Sequence, residues 1–319
     1  MRIVLSALFL GLLLNANAQI DSPRLKPDTI VRVPDVISDI PGHIADTSSM
    51  LDDLMDVEEE PDFESNTFKG TRVINSQSTE MIGKQNLDFR ICHRFGLVNQ
   101  GHYELWGLDQ AFQRMSFTYG ISDLLNVEIG RSNVRKIYDG SIKWKIMRQA
   151  KGDKKRPISI ALVSNIAYQN EKNANTQLDP YYQTHRLYYT HQLLFAKKFN
   201  KNFSLQIMPS LIHRNLIDSQ KYKNDVFSIG IGGRNKITRK TALTYEYFYV
   251  FPGQIKETYY NSLSIGVDIE TGGHVFQLHF TNSRILNEKG FIAETEGNWL
   301  KGGVHFGFNI SRVFYIGRG

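Results

Sequence analysis

The stretch that most constrains this chain runs from Asn261 to Ser283. Leu263, Ile265, Val267 and Ile269 alternate with Ser264, Gly266 and Asp268. After Glu270-Thr271-Gly272-Gly273 the alternation resumes, with Phe276, Leu278 and Phe280 against Gln277, His279 and Thr281. A period of two puts the apolar set on one face of a strand, and the glycine pair supplies the positive φ of a tight hairpin. Each arm is about as long as the ~9–11 residues that cross a membrane as a tilted strand. The rest of the chain repeats this unit.

Ten further arms can be read. Leu87, Phe89 and Ile91 alternate with Asp88, Arg90, Cys92 and Arg94; Met115, Phe117 and Tyr119 alternate with Arg114, Ser116 and Thr118. Arms follow at Val127–Ile129, Ile142–Ile146, Ile158–Ile166, Leu187–Leu193, Phe203–Leu211, Phe227–Ile231, Leu243–Tyr249 and Val304–Ile310. Twelve arms return the chain to the side on which it started, as a single-chain barrel requires. Short connections at 120–124, 150–156, 198–202, 236–240 and 270–274 alternate with longer ones at 96–111, 132–140, 169–183, 215–224, 251–260 and 284–300. That asymmetry is expected of short periplasmic turns and long external loops. The predicted fold is all-β: a transmembrane antiparallel up-and-down barrel of about twelve strands over 69–319.

The amino terminus agrees with export. Arg2, the apolar run Ile3 to Leu14 and the small residues Ala16-Asn17-Ala18 form a signal peptide over 1–18. No later apolar run reaches the ~18 residues of a membrane helix. A closed barrel satisfies every backbone group in lipid without one. Cys92 is the single cysteine, so no internal disulfide can form. These features place the protein in the outer membrane, in contact with its lipid.

Charge divides the chain. Residues 19–68 carry 13 Asp/Glu against 3 Arg/Lys, and from Lys69 onward 19 Asp/Glu face 34 Arg/Lys. The acidic segment reads as a mostly disordered periplasmic linker, or as a plug or docking arm for a periplasmic protein. Ser48 to Glu60 could form one short helix. The next piece, Thr71-Arg72-Val73-Ile74-Asn75-Ser76-Gln77-Ser78-Thr79, alternates poorly and reads as a lead-in lying across the barrel base.

On these arms and on the pieces Phe68 to Asn75, Leu87 to Gly96, Gly107-Leu108-Asp109 and Tyr138-Asp139-Gly140-Ser141, the chain resembles a family of membrane-bound β-barrel domains of unknown function from Gram-negative bacteria. The resemblance covers Phe68 to the carboxyl end. It implies an outer-membrane barrel and brings no activity and no functional residues.

No catalytic set emerges. A lipid hydrolase needs a serine paired with a histidine. No H-x-S is present, His279-Phe280-Thr281 offers only threonine, and His191 has no serine nearby in sequence. Cys92 and His93 are adjacent on one strand and so point to opposite faces, which excludes a shared metal. No cofactor, metal or nucleic-acid site is expected. Glycines at 230 and 232 read as room for close packing or for a strand bend. What remains is the interior charge. Parity turns Arg90, Arg94, Arg114, Lys143, Lys145, Arg186, Arg214 and Arg234 inward, against Asp88, Glu128, Glu246 and Asp268. A cationic lining favours anions. The expected role is a passive or gated channel for small anionic or polar solutes. A non-conducting scaffold or assembly partner is the alternative, and a lipid hydrolase a distant third.

Overall fold

The computed structural model describes residues 61–152, 155–171, 182–217, 221–271 and 273–317. The leader at 1–18, most of the acidic segment and the helix expected over 48–60 lie outside the described residues.

Twelve strands make one closed barrel: β1 (Asn86–Leu97), β2 (Ala111–Ser122), β3 (Leu125–Ser132), β4 (Ile137–Met147), β5 (Ser159–Gln169), β6 (Leu187–Lys198), β7 (Phe203–Arg214), β8 (Asp225–Lys236), β9 (Thr241–Val250), β10 (Ser262–Thr271), β11 (His274–Thr281) and β12 (His305–Tyr315). Each pairs antiparallel with the next, and β12 closes on β1 through pairs such as Ile310 with Ile91. Closure removes the unpaired edges that an open sheet would leave in hydrocarbon. Every arm expected from alternation is a strand here, and the turn of the opening hairpin has Gly273 at φ 95°.

Alternation becomes two surfaces. On β1, Asp88, Arg90, Cys92 and Arg94 are buried in the lumen, while Phe89, Ile91, His93 and Phe95 face outward. Phe117, Ile129, Ile142, Trp144, Ile166, Phe227, Ile231 and Phe280 are among the exposed apolar side chains of the outer wall. They are the residues a bilayer would solvate. Arg131, which falls on the apolar parity, sits at the end of β3 with its guanidinium 5.3 Å from the Tyr138 ring centre. That position lets the charge reach the interface.

The chain before β1 departs from expectation. Thr71 to Thr79 does not lie across the barrel base; it is inside the barrel, and all nine residues are buried. Its irregular alternation has a physical cause. A segment surrounded by wall on every side has no single apolar face, so period two carries no information there. A second insertion comes from the loop between β11 and β12, where the short helix α1 (Glu288–Ala293) is buried along its whole length.

Candidate functional site in the barrel lumen

The inserted segment is a narrow finger. Its neck is closed by Glu80, whose Oε1 accepts from the amides of Thr67 at 2.9 Å and Phe68 at 3.3 Å. Ser78 N donates to Thr71 O and Val73 N to Ser76 O, each at 2.9 Å, so the chain reverses at Ile74-Asn75. A buried turn must find partners for its amides and carbonyls, and here the wall provides them. Glu246 of β9 accepts from the amides of Asn75 at 2.9 Å and Ser76 at 3.1 Å and from the Ser76 hydroxyl at 2.8 Å. Asn309 of β12 donates to Ile74 O at 3.0 Å, and Gln277 of β11 donates to Val73 O. Gln206 of β7 donates to Gln77 O at 2.8 Å and accepts from Thr79 N at 3.0 Å. The finger is thus bound to four strands of the wall, β7, β9, β11 and β12.

The basic residues expected to line the lumen take part in this grip. Lys143 Nζ donates to three finger carbonyls: Thr71 at 3.0 Å, Ser78 at 3.0 Å and Glu80 at 3.1 Å. Lys145 donates to Thr79 O, and Arg90 to the Thr71 hydroxyl at 2.9 Å. Arg94 bonds Asn75 at the tip. Arg114 instead pairs with carboxylates of the wall, Asp139 and, at 2.7 Å, Glu128. Arg214 donates to Gln254 O at 3.2 Å near the external end, and Arg234 is buried at the other end of its strand. Arg186 is placed differently. It ends a 3-10 turn before β6 and donates to Glu171 O at 3.0 Å, at the external rim rather than on a strand.

The finger carries its own cation to the centre. Arg72 donates to Glu128 at 2.7 Å and to Glu288 of α1 at 3.0 Å. A buried arginine can be held only by such pairing, because an unpaired charge in low dielectric is very costly.

Above this level the lumen is apolar on one side. Leu194, Met208, Ile212, Val226 and Phe248 turn inward and receive Phe291, Ile292 and Ala293 of α1. Phe291 and Phe248 meet edge to face with ring centres 5.3 Å apart. Gly230 and Gly232 make the close packing possible, as expected: a Cβ at 230 would lie 2.4 Å from the Phe248 ring, and one at 232 would lie 3.3 Å from Val73 of the finger. Parity missed the inward apolar set. The signal in the sequence was the doubled apolar steps, such as Leu193-Leu194, Ile207-Met208 and Leu211-Ile212. Around α1, Lys289 Nζ is 2.9 Å from Glu294 and 3.5 Å from the Tyr188 ring centre, and Arg135 from the β3–β4 loop also pairs with Glu294. Burial pushes the Glu294 carboxyl up, but Lys289 and Arg135 outweigh it and hold the group below its ordinary range. Beside this loop an external cleft of about 410 Å³ is lined by Gln110, Phe112, Tyr260, Arg284, Glu296 and Lys301.

The outer wall holds one pair that spacing could not show. Ser164 Oγ on β5 lies 3.0 Å from His191 Nδ1 on β6, so the histidine without a serine nearby in sequence has one across the strand pair.

A closed, even-stranded barrel with an apolar exterior and a polar, occupied interior defines a transmembrane β-barrel. The chain belongs to the family described as membrane bound beta barrel domain (DUF5777), whose model matches residues 68–314. That match takes in the finger, α1 and all but the last residue of the wall. An exported member of such a family is a protein of the outer membrane. No curated protein matches the chain. Among solved structures it is similar to the NanC porin, with 9% identity and a TM-score of 0.44 over 72% of this chain and 98% of that one. It is similar also to the KdgM porin, with 7% identity and a TM-score of 0.42 over 72% and 99%. The Acinetobacter baumannii outer membrane protein Omp33 aligns at 7% identity and a TM-score of 0.39 over 73% and 99%. Identities and scores of this size leave the likeness at barrel architecture.

Proposed function

We propose that the protein is a gated outer-membrane channel for small anionic or polar solutes, held closed by the finger at 67–80. The observation that carries this reading is the character of the grip. The finger is bound mainly through its backbone groups, by lysine, arginine, amide and carboxylate side chains that water could satisfy equally well once it withdrew. The wall left behind would carry Arg90, Arg94, Lys143, Lys145 and Arg234, a cationic lining that favours anions. Closure also leaves buried polar atoms without protein partners, among them Ser116 Oγ, Arg114 Nη1, Glu288 Oε2 and both His279 ring nitrogens. Each such group costs ~1–3 kcal/mol, which narrows the free-energy gap to a hydrated state.

A second reading, a non-conducting scaffold or assembly partner, is favoured by the apolar docking of α1, which fills lumen space beyond that taken by the finger. Two deletions separate the readings in planar bilayers. Removing 19–66 spares the finger and its neck at Thr67 and Phe68, and removing 19–80 takes it out. A channel predicts silence from the full chain and from the first deletion, and steady anion-selective steps from the second. Silence from folded protein lacking 19–80, even with α1 also removed, selects the scaffold.

A further inference from the structure

The outer wall carries a polar pair where lipid would be expected. Ser164 and His191 both point outward, on the faces opposite to the buried Val163, Asn165, Thr190 and Gln192. Ser164 is the sixth of eleven residues of β5, so the pair lies near mid-depth. In an apolar band about 25 Å tall it is then about 12 Å from either interface, beyond reach of lipid ester and headgroup oxygens. Apolar side chains stand beside it on the outer wall: Ile142 is opposite Ser164 and Leu211 opposite His191, with the exposed Ile166 and Leu193 two places along their strands. His93, also turned outward, is treated differently, since its ring lies flat on Phe308 at 5.0 Å and packs on Phe95 at 4.4 Å.

Hydrogen-bond accounting shows what the pair lacks. If the serine donates to Nδ1, the serine oxygen keeps a free acceptor site and Nε2–H is a free donor. If the other tautomer is present, Nδ1–H donates, leaving a free serine O–H and a free Nε2 acceptor. In either case one donor and one acceptor remain open, one at each end of the pair, and neither has a partner among the described residues. Hydrocarbon offers such side chains no water, so hydrogen bonds made across a protein contact favour association there.

We infer that the β4–β7 sector of the outer wall is the contact between two copies of this chain, related by a twofold axis beside Ser164 and His191. The pair is self-complementary. The open donor of each copy meets the open acceptor of the other, which closes a ring of four hydrogen bonds inside an apolar surround. Isologous contact requires this reciprocity. A lipid hydrolase is disfavoured by depth, because the ester bonds it would cleave lie at the interface and not beside the pair.

The test uses the full chain purified and placed in lipid nanodiscs. Its molecular mass by light scattering should be that of a dimer, and the double variant Ser164→Val with His191→Leu should be monomeric. Both substitutions suit a lipid-facing wall, and the characteristic gel shift on heating checks that the barrel still forms. A variant that leaves the pair intact gives a second readout. Leu193→Cys in a Cys92→Ser background should couple to its counterpart through a short bis-maleimide in membranes. A monomeric wild type, a dimer that survives the double substitution, or no coupling at position 193 would overturn the inference. So would phospholipid hydrolysis abolished by Ser164→Ala, which would make the pair a hydrolytic dyad.

Discussion

Arg72 and Glu288 meet at 3.0 Å in the middle of the barrel, although 216 residues separate them in sequence. One belongs to the finger that enters before β1, and the other to the helix inserted from the β11–β12 loop. Glu128 of the wall completes the contact at 2.7 Å from Arg72. The two luminal insertions are therefore joined through one guanidinium.

Removing that guanidinium should loosen both insertions. Arg72→Met leaves Glu128 with Arg114 alone and strips Glu288 of its bonded cation, and breaking a buried ion pair from one side costs ~3–5 kcal/mol. Cys92 reports the result, because it faces the lumen between Arg90 and Arg94, both of which hold the finger. Thiol labelling of Cys92 should be slow in the wild type and at least tenfold faster in Arg72→Met. Equal rates would show that Arg72 does not hold the finger.

Glu246 should matter through its charge. Glu246→Gln keeps the size of the side chain but replaces an ionised acceptor of three amides and a hydroxyl by a neutral group. Hydrogen bonds to charged groups contribute ~1.5–3 kcal/mol each. Hydrogen exchange at the amides of 74–76 should quicken by ten- to a hundredfold while the strand amides of β9 stay protected. Uniform loss of protection would point to a damaged barrel instead.

Selectivity should follow the cations that no carboxylate neutralises at short range. Arg114 is paired with Glu128 and Asp139, and Arg186 sits at the rim. In protein lacking 19–80, Lys143→Glu with Lys145→Glu should move the reversal potential toward cations, and Arg114→Gln should move it much less. The reverse order, measured under a salt gradient, would refute the assignment of the lining.

External acid should weaken the seat of α1. The folded carboxyl of Glu294 lies below its ordinary value of 4.5, so its ion pairs contribute fully above that pH. The contribution is lost as pH falls through the lower folded value. Acidification below about pH 4.5 should increase protease cleavage in the 284–300 loop of intact protein, and Glu294→Gln should show the higher cleavage already at pH 7.

Packing beneath α1 should respond to one atom. At Gly230 a Cβ would collide with the Phe248 ring, which in turn carries Phe291. Gly230→Ala should cost ~1–3 kcal/mol by overpacking, read as a lowered temperature for the heat-induced gel shift. Combining it with Phe248→Leu should recover part of the loss.

The barrel itself was legible in the sequence. A strand that meets lipid on one side and a polar interior on the other must alternate, so twelve runs such as Leu263 to Ile269 carry the fold in their own composition. Parity also placed Arg90, Arg94, Arg114, Lys143, Lys145, Arg214 and Arg234 in the interior, because adjacent strand residues cannot share a face. It misplaced Arg186, which lies just before the strand that parity assumed. What the interior contains was decided only in three dimensions. The finger and α1 have no periodic signature, since each is enclosed on all sides and draws its stability from partners such as Glu246, Lys143 and Phe248 that lie far away along the chain. The meeting of Ser164 with His191 likewise depended on the register of β5 against β6. Local pattern encodes the wall, and only closure of the wall brings together the groups that fill it.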